Sequence, residues 1–352
     1  RVLFRSHTDG ATRPRIGLRE LARRSLADWA FAALSLLGMV FAFVRYQHAM
    51  DVYEQGILLC TWPCVVWLAW FWRPLRNLMT VVAALSLLAI ASYQGDLARA
   101  EQVFWLKYFL SSQSAILWMS MLFFMSTLFY WGGMFVRNRE AAMESIGSRL
   151  VWAAVTMALI GTLVRWYESY LIGADVGHVP VSNLYEVFVL FSWLTAVFWL
   201  YFEDRFAKQG QALGALGAFV MLVVSAAVGF LLWYALARGA HEIQPLVPAL
   251  QSWWMKIHVP ANFVGYGTFA LAVMVALAFA SCGQLRPEKP CPVLVAQVPT
   301  FSLTLYAATG DTLYHCPTAF DVYRGENGVR FKCDSTDQEY HFVNGTISIT
   351  PN

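Results

Sequence analysis

The sequence predicts an all-α integral membrane protein with about eight transmembrane helices and a cytoplasmic N-terminus, followed by a short β-rich tail. Composition is the first observation behind this prediction: 58% of the 352 residues are hydrophobic and only 13% are charged, against about 25% charged in an average soluble domain. The second is that apolar residues fall in runs close to the roughly 20 residues that a helix needs to cross hydrocarbon. The chain is therefore expected to cross the bilayer repeatedly.

The apolar runs divide the chain into three parts. A basic flank covers residues 1–28, a membrane domain covers 29–282 and a strand-patterned tail covers 283–352. The first run, from about Trp29 to Val44, has no small-residue cleavage site and is followed by other spans, so we expect a retained helix and not a signal peptide. The seven later spans are predicted at about 56–72, 78–93, 113–136, 150–166, 183–202, 213–237 and 260–281.

The basic residues give the orientation. Alternating the spans from a cytoplasmic N-terminus places 16 lysines and arginines on the inner side and 6 on the outer side. Basic residues in the predicted strands of the tail are left out of this count. Loops that remain in the cytoplasm carry the excess of Lys and Arg, so this split supports the orientation. The net charge of +3 is too small to argue for nucleic-acid binding.

The composition changes after Cys282. Val293 to Leu305 is rich in Val, Thr and Phe, and Phe342 to Ile347 is predicted to form a hairpin around the Asn344-Gly345 turn. The change is consistent with a tail whose origin differs from that of the membrane domain.

The six cysteines match neither a disulfide framework nor a zinc pattern. Cys60 and Cys64 lie four residues apart around Pro63, which is neither a redox Cys-x-x-Cys motif nor a haem-attachment motif. We expect them to be small buried apolar residues.

Four histidines fall on the predicted outer side: His48, His178, His241 and His258. His258 stands between the pair Trp253 and Trp254 and the last span. A neutral imidazole there can bind a metal, and indole rings suit a membrane interface or the face of a flat ligand. The alternative is a solvated histidine in an interfacial loop.

His178 opens the segment that leads into the sixth span. Pro180 restricts the approach, either Ser182 or Asn183 can cap the helix, and Glu186 lies in its first turn. A capping box accounts for much of this pattern without any ligand.

Several of these stretches resemble one known family: the CcsA/ResC-type haem-handling subunit of the system II cytochrome c biogenesis machinery, also called CcsB in proteobacteria. The resemblance covers about residues 20–282. Its most specific parts are Ser111 to Ala115, Arg165 to Tyr170, His178 to Glu186, and Trp254 to Pro260.

The resemblance implies a multi-pass protein of the bacterial inner membrane that presents haem b, as its transported substrate, at the outer face. The implied partners are apocytochrome c and a Ccs1/ResB-type membrane subunit. His258 matches the family's histidine in the Ile-His-Val context, one of two outer-face ligands to haem iron. Candidates to cover the porphyrin plate are Trp253, Trp254 and Trp166, while Arg165 would meet a propionate or lipid phosphate. His178 is the next candidate haem neighbour after His258, and the alternative for it is a loop histidine with satisfied hydrogen bonds.

The family's Trp-x-Trp-Asp segment, second outer histidine and intramembrane histidine are absent after Cys282. We therefore expect that this chain alone does not act as a haem-attachment synthase. A multi-span transporter or structural membrane protein without a cofactor remains the alternative function.

Overall fold

The computed structural model describes residues 24–136, 140–173, 176–208, 213–246, 252, 254–285, 301–306, 312–325, 328–333, 339–342 and 346–351. The chain divides into two compact units, Arg1–Gln284 and Leu285–Asn352. The first unit is helical and the second contains the strands.

Among the described residues of the first unit, eight helices are long and apolar enough to cross a membrane. The predicted fold class is therefore confirmed, and the chain is a multi-pass membrane protein. The helices are α1 (Leu26–Tyr46), α2 (Val52–Phe71), α3 (Arg73–Tyr93), α4 (Ser112–Phe135), α5 (Glu140–Ile172), α6 (Leu184–Ala207), α7 (Gly214–Arg238) and α8 (Met255–Leu285). A helical turn at Arg99–Gln102 and a π-helical turn at Leu106–Leu110 lie between α3 and α4.

Polar side chains close the starts of the helices, where backbone N–H groups have no partner within the helix. Ser25 and Asp28 form a capping box at α1, and Asp51 and Glu54 form another at α2. The buried Asp28 carboxylate also accepts from Arg76 at 2.5 Å, which joins the start of α1 to the start of α3.

Helices α4 to α7 form the packed centre. Gly217 of α7 lies against the rings of Tyr130 on α4 and Trp199 on α6. The Tyr130 hydroxyl accepts from the Trp199 indole N–H at 3.2 Å and donates to Glu203 at 2.6 Å. Small residues let membrane helices approach closely, and buried hydroxyl and indole groups then find partners on neighbouring helices.

Helices α1, α2 and α8 lie at the periphery. In the most apolar stretch of each helix, 11% of the residues are buried in α1, 11% in α2 and 17% in α8. The corresponding share in α6 and α7 is 50%. Cys60 and Cys64 are both exposed on α2, so the prediction that they are buried is wrong. Their helix is a peripheral one whose outward side meets none of the described residues, which hydropathy alone does not reveal.

The second unit contains a five-stranded antiparallel sheet in the order β4-β3-β2-β1-β5, so the expected β-rich tail is present. Its strands are β1 (Phe301–Tyr306), β2 (Thr312–Gly325), β3 (Gly328–Cys333), β4 (Glu339–Phe342) and β5 (Thr346–Pro351). The predicted hairpin between Phe342 and Ile347 is wrong, because β4 pairs with β3 whereas β5 pairs with β1 over six residues. The Asn344-Gly345 pair and residues 293–300 lie outside the described residues.

We predict that Gly217→Ala destabilises the helical unit. An added Cβ would stand 2.6 Å from Tyr130 and 2.7 Å from Trp199, and overpacking of this kind costs about 1–3 kcal/mol. Gly229→Ala on the same helix is the matched control, since a Cβ there meets nothing within 4 Å. Unfolding in detergent micelles measures both, and equal midpoints for the two variants would contradict the packing.

The orientation leads to a second prediction. A reporter fused after Arg139 should behave as cytoplasmic, and one fused after Gly173 as periplasmic, because the basic residues are concentrated on the first side. Paired alkaline phosphatase and green fluorescent protein fusions measure this. Exchanged activities would reverse the assignment of the two faces.

Candidate functional site

Buried polar side chains gather where α5 ends and α6 begins, at the predicted outer side. Arg165 and Glu186 are only 2% and 3% exposed, and Glu168 and His178 are also buried. Buried charges require partners, because removal from water costs several kcal/mol for each ion. The hydrogen bonds of this cluster therefore show what each group does.

Arg165 connects three segments. Its Nε donates to Glu186 Oε1 at 2.8 Å, while its Nη1 donates to the His241 carbonyl at 2.7 Å and its Nη2 to the Glu242 carbonyl at 3.3 Å. Its guanidinium also lies over the Tyr185 ring, 5.4 Å from the centroid. The side chain thus holds the loop after α7 against the ends of α5 and α6.

Glu186 is the acceptor at the centre of the cluster. Its Oε2 accepts from the Ser182 backbone N–H at 2.8 Å and from the Ser182 hydroxyl at 2.7 Å, while Asn183 Oδ1 accepts from the Glu186 backbone N–H at 2.9 Å. Asn183 is therefore the N-cap of α6, and Ser182 binds the carboxylate. The two candidates for the cap have different roles.

Both ring nitrogens of His178 have hydrogen-bond partners. Nδ1 lies 2.6 Å from the Val176 carbonyl and Nε2 lies 2.8 Å from the Ser182 hydroxyl. A carbonyl only accepts, so Nδ1 carries a proton. Binding a metal through Nε2 would require loss of the bond to Ser182. In this conformation the imidazole holds the turn before α6.

A second buried carboxylate, Glu168, joins three helices. It accepts from the Tyr93 hydroxyl of α3, from the Ser112 hydroxyl and, at 3.0 Å, from the Ser112 backbone N–H at the start of α4. Sequence reasoning assigned Glu168 no role. The predicted fifth span ends at 166, whereas the helix continues to Ile172 and so includes Glu168; an acidic residue within a span requires a partner.

His258 has different surroundings. It lies in the first turn of α8, is exposed, and its Nε2 is 3.0 Å from Asn262 Nδ2. Trp254 one turn earlier is 54% exposed, and Trp166 on α5 is 40% exposed. Trp253 lies outside the described residues.

The opposite side of the same turn is packed. Met255 belongs to a cluster with Val181 and Leu190, and Val259 and Val179 pack against it. Another contact fixes this end of α8, since Lys256 forms an ion pair with Glu54 of α2. The segments that carry His178 and His258 are therefore in contact, while the His258 side chain stays accessible.

The side chains around His258 that could bind a metal determine what chemistry this part of the protein can support. No three His, Cys, Asp or Glu side chains gather for a metal among the described residues. His258 can offer a single imidazole, beside an exposed indole, to a metal that brings its other ligands with it. A porphyrin has this property, and aromatic side chains suit its plate.

Known proteins with similar sequences agree with the family resemblance indicated by the sequence motifs. A family model described as cytochrome c assembly protein matches residues 181–309. The chain is 33% identical over 155 residues to the cytochrome c biogenesis protein CcsA of Cycas taitungensis, covering 44% of this chain and 43% of the relative. It is 32% identical over 158 residues to the CcsA of Synechococcus sp. (strain JA-3-3Ab), covering 43% and 40%.

The resemblance to the CcsA-type family is confirmed. The chain spans less than half the length of these curated relatives. The matched region of the family model contains Glu186, Trp254 and His258, whereas Arg165, Trp166 and His178 precede it. No solved structure matches the chain.

The Arg165–Glu186 pair gives a stability prediction. Arg165→Met should lower the free energy of unfolding by about 3–5 kcal/mol, because it leaves a buried carboxylate without its cation. Arg165→Met combined with Glu186→Gln should lose less than Arg165→Met alone, since no charge then stays unpaired. Unfolding in detergent micelles gives both values.

The control for this comparison of single and double variants is Arg238→Met, which removes an exposed arginine from the last turn of α7. A change within about 0.5 kcal/mol is expected for it. Strictly additive effects of Arg165→Met and Glu186→Gln would mean that the two side chains do not depend on each other.

Proposed function

We propose that this chain acts in cytochrome c maturation of the system II type, binding haem b and presenting it at the periplasmic face for covalent attachment to apocytochrome c. The membrane would be the bacterial inner membrane, and the partner a Ccs1/ResB-type subunit. The chain's similarity to CcsA proteins supports the pathway. Accessible His258 supports the haem site.

The choice of iron ligand rests on the contrast between His178 and His258. His178 is buried with both ring nitrogens hydrogen-bonded, whereas His258 is exposed and bonded through Nε2 to one exposed side-chain amide. An axial ligand for a transferable haem must be reachable and able to exchange. We therefore propose His258 as the iron ligand.

The other predicted haem contacts take different parts in this proposal. Trp254 and Trp166 offer exposed indole surface for the porphyrin plate, and Trp253 remains a candidate from the sequence. Arg165 and His178, first considered as haem neighbours, would support the site by holding the loop after α7 and the turn before α6. Their contact with haem stays a prediction of the sequence.

The chemistry assigned to haem attachment requires little acid or base from this chain. In each thioether, a cysteine S–H of the apocytochrome adds across a vinyl C=C, so that sulfur binds one carbon and hydrogen the other, without net oxidation. The role of the chain is then to hold and orient haem. The expectation that it does not complete the synthase alone also stays a prediction.

We predict that His258→Ala lowers the amount of haem that copurifies with the protein, and that added imidazole partly restores it by filling the vacated iron position. The Soret absorption per mole of protein measures haem retention. His48→Ala is the matched control, because His48 is also exposed at the same predicted side.

The possible results separate the alternatives. If His178→Ala lost haem while His258→Ala kept it, the proposed iron ligand would be the wrong histidine. A protein without Soret absorption, purified from cells supplied with haem, would favour the transporter or structural function.

A further inference from the structure

The ring of His258 makes an exposed hydrogen bond within its own helix. Asn262 lies four residues later on α8, one turn along, and its Nδ2 is 3.0 Å from His258 Nε2. Residues four apart share a helix face, so this pair is set by the helix itself. Packing of Met255 and Val259 on the other side holds the turn in place.

The atom types determine the state of the imidazole. An amide Nδ2 can only donate, so Nε2 accepts and its lone pair is in use. In a neutral ring with one proton, that proton is then on Nδ1. Neither ring nitrogen offers a free lone pair while Asn262 is bound, although both side chains are exposed and can separate.

We propose that Asn262 is a positioning residue that determines which ring nitrogen of His258 is available, and that it withholds Nε2 until an incoming metal centre replaces the amide. The hydrogen bond made by one ring nitrogen sets which nitrogen is protonated or metallated. The part that concerns haem rests on the proposed function. The effect on the imidazole itself does not, because the amide and ring meet without haem.

Two substitutions of similar size should act in opposite directions. Asn262→Leu removes the donor, which leaves the Nε2 lone pair free. Asn262→Asp replaces the donor with an acceptor, so Nε2 must carry the proton; the free lone pair is then on Nδ1 and Nε2 has none. If Asn262 only stabilised the helix, the two substitutions would not change the reactivity of His258 Nε2 in opposite directions.

The experiment uses the full chain purified in detergent and two probes. The first is the acylation rate of His258 at Nε2 by diethyl pyrocarbonate without haem, followed by mass spectrometry of the His258 peptide and by NMR, which distinguishes the Nε2 from the Nδ1 adduct. The second is haemin affinity, from a Soret titration. Asn262→Leu should raise both by about two- to tenfold, the worth of one hydrogen bond between exposed groups, and Asn262→Asp should lower both.

Two controls define the background. His258→Ala removes the acylation signal and reports haemin binding elsewhere on the protein. Thr268→Leu makes a polar-to-leucine change farther along the same helix, where the hydroxyl bonds to the Gly265 carbonyl, and should leave both probes unchanged.

The outcomes distinguish this proposal from the proposed function. Opposite shifts in acylation rate support the role of Asn262 even if wild-type protein binds no haemin, in which case the proposed function fails. Haemin binding that depends on His258, with acylation unchanged in both Asn262 variants, overturns the role of Asn262 and leaves the proposed function intact. Shifts of the same sign in the two variants also overturn it.

Discussion

The ion pair between Arg165 and Glu186 is the interaction on which the predicted outer end of the bundle depends. Both side chains are buried, so each charge requires the other. Because the remaining arginine donors bind the His241 and Glu242 carbonyls, the pair also fixes the loop that follows α7. Leu246, farther along that loop, packs against the cluster that contains Met255 of α8. The position of His258 is thus connected to a buried charge pair it does not touch.

The same chemistry holds the helices together at both ends. Glu168 accepts from hydroxyls of Tyr93 and Ser112 at the predicted outer end, and Glu203 accepts from Tyr130 and Ser148 at the predicted inner end. Lipid tails are as apolar as leucine, so burial of apolar surface contributes little to association between spans. Close packing and hydrogen bonds between helices replace it, and a carboxylate with two hydroxyl donors satisfies several groups at once.

Hydropathy was sufficient to predict eight spans because the bilayer imposes length and polarity on each segment separately. Properties that depend on which faces meet were not predictable in this way. Cys60 and Cys64 are exposed because α2 is peripheral, and the Asn344-Gly345 hairpin is replaced by pairing of β5 with a distant strand. The sequence makes His178 a candidate haem neighbour, but its two hydrogen bonds arise from a turn whose conformation the sequence does not reveal.

The contrast between the two histidines also bears on how a carrier can release its cargo. In the buried cluster, displacing one partner leaves another polar group unsatisfied, which costs about 1–3 kcal/mol or more. A ligand could enter there only by breaking the contacts that hold α5, α6 and the loop after α7 together. At His258 the competing partner is one exposed amide that can return to water. On the proposed function, haem would therefore exchange with Asn262 at His258 while the buried cluster keeps the helix ends fixed.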